Sequence, residues 1–174
     1  MGEVSDNPYD DYAAKLVANG YFPIPIEPMT KLPGRWAPMM NKFVGIPNWQ
    51  IHTAPIASPQ PGAGIGVRLG NGLVCVDFDD DEHALILSDI FPPSPVNKRG
   101  QTAWSAFYRT ERAVPNENFY AADGKLVLQI LANRKQTVLP PTIHEDTGKP
   151  YEWVNGRSLF DTPLSELPLL PERP

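Results

Sequence analysis

The run Val74-Cys75-Val76-Asp77-Phe78-Asp79 sets two carboxylates two residues apart in a stretch of strand-forming residues. Side chains alternate along a strand that rises about 3.3 Å per residue, so Asp77 and Asp79 share a face, about 6–7 Å apart at Cα. With Asp80, Asp81 and Glu82 beyond them, they make a hard-oxygen group suited to Mg²⁺ or Mn²⁺. Such a pair can hold metals that activate an attacking oxygen and neutralise a triphosphate. Two acids at a strand-to-turn junction can also be a solvated strand end, and the pair alone leaves both readings open. Competing motifs fail on spacing. An EF-hand loop begun at Asp77 would need glycine sixth and glutamate twelfth, where Glu82 and Ser88 stand. Gly64-Ile65-Gly66 with Gly70 misses the GxGxxG interval, and there is no GxxxxGK[ST] phosphate loop. His52, His83 and His144 are too scattered to define a zinc site.

Charge is segregated around that run. From Asp77 to Asp89 there are carboxylates and no Lys or Arg; from Lys98 to Arg112, Lys98, Arg99, Arg109 and Arg112 stand against Glu111 alone. That suits a site joining metals to an anionic substrate, and it equally suits two solvated faces. The net charge of −5 argues against coating nucleic acid by bulk charge, so any contact must use a local basic strip. The 174 residues, 41% hydrophobic and 20% charged, fit one globular domain or two closely joined modules. The lone Cys75 excludes a disulfide framework and suits a reducing cytosol. No apolar run approaches the roughly 18 residues of a membrane span, and the N-terminus lacks a signal peptide's pattern.

The elements that must position the acids follow from periodicity and breakers. Asn7 as N-cap, Pro8 at the first helical position and a Tyr12, Ala13, Leu16, Val17 stripe predict a helix stopped at Gly20. Phe22, Ile24 and Ile26 alternate with Pro23 and Pro25, an edge strand or extended segment. Residues 27–63 read as a long irregular stretch, functional or hiding short helices. Strands are expected at 65–69, 73–79, 103–109, 125–131 and 136–140, with a turn at Gly70-Asn71-Gly72 and a short helix over 81–90. The Pro-rich segment 161–174 reads as a linker leaving the domain.

Three blocks in order resemble the bifunctional primase-polymerase domain of the archaeo-eukaryotic primase superfamily, of phage and plasmid type. They are YAAKLVANGYFPIPIEPMTKLPGRW (12–36), GIGVRLGNGLVCVDFD (64–79) and VLPPTIHEDTGKPYEW (138–153). The resemblance implies an α/β (α+β) domain over 1–160. An N-terminal module of about 1–63 would pack on an RRM-like mixed sheet of about 64–155, with the active cleft between them. It implies template-directed nucleotidyl transfer from dNTPs or NTPs on DNA, in the cytoplasm of a bacterial host, beside a replicative helicase. Asp77 and Asp79 match the catalytic, metal-holding pair.

The chain departs from the family pattern twice. Ser105 stands where the family often has a phosphate-contacting histidine, and Gln129 where it has a further carboxylate. Lys98, Arg99, Arg109, Lys135 and Gln136 are the candidates to bind nucleotide in their place, with Ser105, Gln129 and His144 beside them. Lys31, Arg112 and Arg134 are the candidates to meet DNA. Trp36, Trp49 and Trp104 are either base-stacking or core residues. The alternative function is a catalytically impaired module of the same fold that binds nucleotide or single-stranded DNA.

Overall fold

The computed structural model describes residues 4–51, 54–102 and 104–172. The chain opens with α1 (Pro8–Ala18), β1 (Pro23–Ile26), β2 (Arg35–Ala37), β3 (Lys42–Val44), β4 (Gly64–Leu69), β5 (Leu73–Phe78) and α2 (Asp81–Ser88). It continues with β6 (Asn97–Arg99), β7 (Ser105–Arg109), β8 (Glu117–Tyr120), β9 (Leu126–Leu131), β10 (Lys135–Leu139) and β11 (Glu152–Val154). Two main sheets result, ordered β1-β4-β10 and β11-β6-β7-β5-β9-β8, and β2 pairs with β3 in a small hairpin. The class is α+β, and every pairing between named strands is antiparallel.

Helix α1 begins with proline at its first turn, as expected, but Asn7 does not cap it through its side chain. Its Oδ1 instead accepts from Gly62 N at 2.9 Å. Asp10 accepts from Gln60 N at 3.0 Å and from Ser58 Oγ at 2.6 Å, so the first turn is pinned to the loop before β4. Leu16 is buried as the stripe required, while Val17 stays largely exposed and Tyr9 takes the deep position.

The central core lies between the sheets. Ile65, Val67 and Leu69 of β4 pack with α1 and with Leu73, Cys75 and Phe107 of the six-stranded sheet. The other face of that sheet, Val74, Val76, Phe78, Ala106 and Tyr108, is covered by Ala84 of α2 and Phe91. Each fully buried aliphatic or aromatic side chain contributes roughly 1.5–3 kcal/mol of transfer free energy. Alternation along β5 thus feeds two cores at once and leaves Asp77 at the cleft end of the inter-sheet face.

The division near residue 63 does not follow the sheets, because β4 pairs with both β1 and β10. The turn at Gly70-Asn71-Gly72 forms as expected, with Gly70 and Leu73 hydrogen-bonded to each other across it, and it passes the chain from one sheet to the other. The segment beyond residue 160 does not leave the domain. Thr162 and Leu167 are buried, Tyr21 donates its hydroxyl to Thr162 O at 2.6 Å, and Leu170 N donates to Arg109 O at 2.8 Å. Leucines spaced between the prolines supply apolar anchors, while the prolines keep the segment extended. The long stretch 27–63 contains a β-hairpin rather than short helices.

Candidate active site

Strand register builds a polar row across the six-stranded sheet. Trp153 faces Lys98, Lys98 faces Ser105, Ser105 faces Asp77, Asp77 faces Gln129, and Gln129 faces Asn118. Directly opposed residues in antiparallel strands share a face with Cβ atoms about 4.5–5.5 Å apart. One cation, one hydroxyl, one carboxylate and two amides therefore lie side by side from β6 to β8. Within the row Ser105 Oγ donates to Asp77 Oδ1 at 2.7 Å, and Gln129 Nε2 donates to Asn118 Oδ1 at 3.1 Å.

The row runs into a cleft of about 280 Å³ between the two sheets. Asp77, Asp79, Lys98 and Ser105 line it from one side, Lys31, Gln136 and Thr137 from the other, and His144 and Tyr151 close one end. Five of the expected nucleotide- or DNA-binding residues thus meet the two acids here: Lys31, Lys98, Ser105, Gln136 and His144. Gln129 is next to Asp77 in register. A wider depression of about 510 Å³ near the start of β5 contains no carboxylate in its lining. Its one cation, Arg109, is held by Leu167 O at 3.0 Å and Glu111 at 3.3 Å.

Asp79 follows β5 and donates its backbone N–H to Val127 O at 3.1 Å. Burial holds its carboxyl above the usual range, and the nearby Asp77 and Asp80 charges push the same way. Asp80, next in the chain, is turned to another task. It caps α2 by accepting from Glu82 N at 3.2 Å, contacts His83 and meets Lys125 Nζ at 3.4 Å. The His83 hydrogen bond, foremost, draws its pKa down to about 2. Asp80, Glu82 and His83 converge at the helix start, with ligand atoms within 4.8 Å of one another.

Lys98 is the other unusual group. It is only 6% exposed, and its Nζ lies 5.0 Å from the centre of the Tyr151 ring. Among the described residues no carboxylate lies within ion-pairing distance of it and none hydrogen-bonds to it; burial lowers its pKa, while the nearby Cys75 and Asp77 act the other way. An ammonium buried with no carboxylate in direct contact is costly, and such a group can attract an anion into the cleft. The Tyr151 ring also packs on His144, with centroids 4.9 Å apart. His144 Nδ1 accepts from Asp146 N at 3.1 Å, which leaves the ring proton of the neutral imidazole on Nε2.

The remaining expected residues fall elsewhere. Arg99 pairs with Asp81 at 3.4 Å. Arg109, Arg112, Arg134 and Lys135 lie toward the opposite end of the sheets, because β7 runs antiparallel to β5 and sets Arg109 opposite Leu73 rather than Asp77. Lys135 sits opposite Leu69 at the far end of β4, and Arg112 contacts Glu172. Trp49 packs into a core and Trp36 lies edge-on to Phe43, whereas Trp104 packs on Phe78 and also lines the cleft. His52 and Ala103 lie outside the described residues. Sequence reasoning missed Tyr151 as the ring supporting Lys98, although Tyr-x-Trp had marked it. It also missed Gly100, where a Cβ would stand 2.7 Å from Tyr151 Cε1.

No individual curated protein matches the chain. Residues 13–170 match the N-terminal domain of bifunctional DNA primase/polymerases, which covers both sheets, the cleft and the packed C-terminal segment. The chain therefore belongs to the bifunctional DNA primase/polymerase N-terminal (Prim-Pol) family.

Proposed function

We propose that the inter-sheet cleft carries out metal-dependent, template-directed nucleotidyl transfer from dNTPs or NTPs. The observation that carries this reading is the meeting of Asp77 and Asp79 with the buried ammonium of Lys98 in one cleft. The donor set fits a divalent cation. Burial, and after it two further carboxylates, hold the Asp79 pKa up, and a hard cation between Asp77 and Asp79 would offset the carboxylate crowding. Mg²⁺ or Mn²⁺ held there would neutralise triphosphate charge and lower the pKa of an attacking hydroxyl.

The chain's own residues do the rest. Ser105 fixes the rotamer of Asp77 through its hydrogen bond, so a carboxylate oxygen is held ready at the cleft. Lys98 binds the triphosphate and balances the charge that collects on pyrophosphate as it leaves. Lys31, across the cleft, adds a second cation, and the Nε2 proton of His144 is a donor to phosphate oxygen. Replication of phage or plasmid DNA, beside a helicase, is the setting that the resemblance implies.

Gln129 favours a second reading, a module that binds nucleotide or single-stranded DNA without extending it. A neutral amide stands opposite Asp77, and amide oxygen is a poorer metal ligand than carboxylate. Extension of a labelled primer across Mg²⁺ and Mn²⁺ titrations separates the two. Metal-dependent extension, strengthened at low metal by Gln129→Glu, supports the transferase. Nucleotide binding with no extension by the wild type or by Gln129→Glu supports the second reading.

A further inference from the structure

Between Glu27 and Asp77 the chain carries Lys31, Arg35, Lys42 and Arg68 and no acid, in a protein whose net charge is −5. Three of these cations stand together in the fold. Lys31 lines the cleft, and Arg35 opens β2 only four residues later, at most about 14 Å of chain away. Lys42 opens β3 opposite Ala37 in the same hairpin. Arg35 and Lys42 are exposed, and neither makes an ion pair among the described residues. Lys31 pairs with Glu145 at 3.6 Å and lies near enough to Asp79 to act on its charge.

The hairpin is also apolar where it meets solvent. At its tip Met39 is fully exposed and Met40 is 57% exposed, and Met29 and Leu32 flank Lys31 at 55% and 61%. Flexible thioethers beside exposed cations suit a polyanion with open base faces. Cations meet phosphates, and the apolar side chains meet unstacked bases. A duplex would offer phosphates but keep its base faces stacked.

We infer that the β2–β3 hairpin, with Lys31, is the docking surface for single-stranded DNA and leads the template strand into the cleft. This rests on the transferase reading for its direction but not for its contacts. The four-residue path from Arg35 to Lys31 joins the hairpin to the wall that faces Asp77 and Asp79. The hairpin grips the strand outside the cleft, and Lys31 receives it at the mouth.

The test is binding of a fluorescein-labelled oligothymidylate single strand and of a hairpin duplex, without nucleotide, over a salt series. The proteins are wild type, Arg35→Ala/Lys42→Ala, and Lys15→Glu on α1 as a control with the same change in net charge. The double variant is expected to lose on the order of tenfold in single-strand affinity at low salt, and its log–log salt slope to fall by about 1.4, two phosphate contacts at about 0.7 each. The Lys15→Glu variant should follow wild type. Unchanged single-strand affinity and slope in the double variant would overturn the inference, as would a loss confined to the duplex or an equal loss in Lys15→Glu. A transferase failure shows separately, as missing primer extension in a wild type whose hairpin still binds the strand.

Discussion

Lys98 carries a charge that the fold alone has no use for. It lies under Tyr151 and beside Ser105, buried, with no carboxylate in ion-pairing contact among the described residues. Lys98→Met keeps the apolar stem and removes the buried charge, so it should stabilise the domain by on the order of 1 kcal/mol while weakening nucleotide binding about 10- to 100-fold. Thermal unfolding and nucleotide titration check the two effects together. The pH dependence has a definite sign. Burial lowers the Lys98 pKa below its ordinary 10.5, so the destabilising charge is present in full below the lowered pKa and disappears as pH rises through it. The stability gain of Lys98→Met should shrink at alkaline pH, and wild-type nucleotide affinity should fall there sooner than that of Lys98→Arg. A wild-type affinity that stays flat into the alkaline range, matching Lys98→Arg, would remove Lys98 from the nucleotide site.

At the scale of elements, β4 shows why the glycine-rich run precedes the acids. A Cβ on Gly64 would stand 2.4 Å from Thr142 Cγ2, and Thr142 Oγ1 accepts from Ile65 N at 2.8 Å. The loop after β10 therefore presses directly on the β4 backbone, and that loop leads on to His144 and Tyr151. Gly64→Ala should cost about 1–3 kcal/mol through overpacking and displace that end of the cleft, seen as a lower denaturation midpoint and weaker nucleotide binding. An unchanged midpoint would show that Thr142 yields freely. Much of this was legible from period and breakers: α1, β4, β5, α2, β7, β9 and β10 all stand where alternation and turn residues put them. β6, β8 and β11 were not, because Asn97–Arg99, Glu117–Tyr120 and Glu152–Val154 are only three or four residues long, too short to show a period. Their strand form comes from pairing to neighbours, which no local pattern records.

At the scale of the whole molecule, two sheets meet over one core, and the cleft opens where that core ends. Asp77 and Asp79 were readable as a pair from spacing alone. Lys31, Gln136 and Lys98 stood among the candidates, but which candidates would meet the acids was not readable, since they come from separate elements joined only by the fold. The same blindness misplaced Arg109, Arg112, Arg134 and Lys135, whose charge was visible but whose end of the sheet was not. The C-terminal segment closes the structure at the opposite end. Leu167 is 2% exposed in the central core, so Leu167→Ala should cost about 2–5 kcal/mol, read by denaturant unfolding. A loss below 1 kcal/mol, on the same estimate, would mean that the segment is a loose cover.

The claim on which the account turns is that Asp77 and Asp79 together support nucleotide incorporation. Both lie at the solvent-facing end of β5 rather than in its core, so Asp77→Ala/Asp79→Ala should fold like wild type. The direct measurement is primer extension with labelled dNTP in Mn²⁺, wild type beside this double variant, with matched unfolding curves. The account predicts extension by wild type and a loss of at least about a hundredfold in the variant, the scale of removing a main electrostatic element of a site. Extension by a folded double variant at the wild-type rate would contradict it.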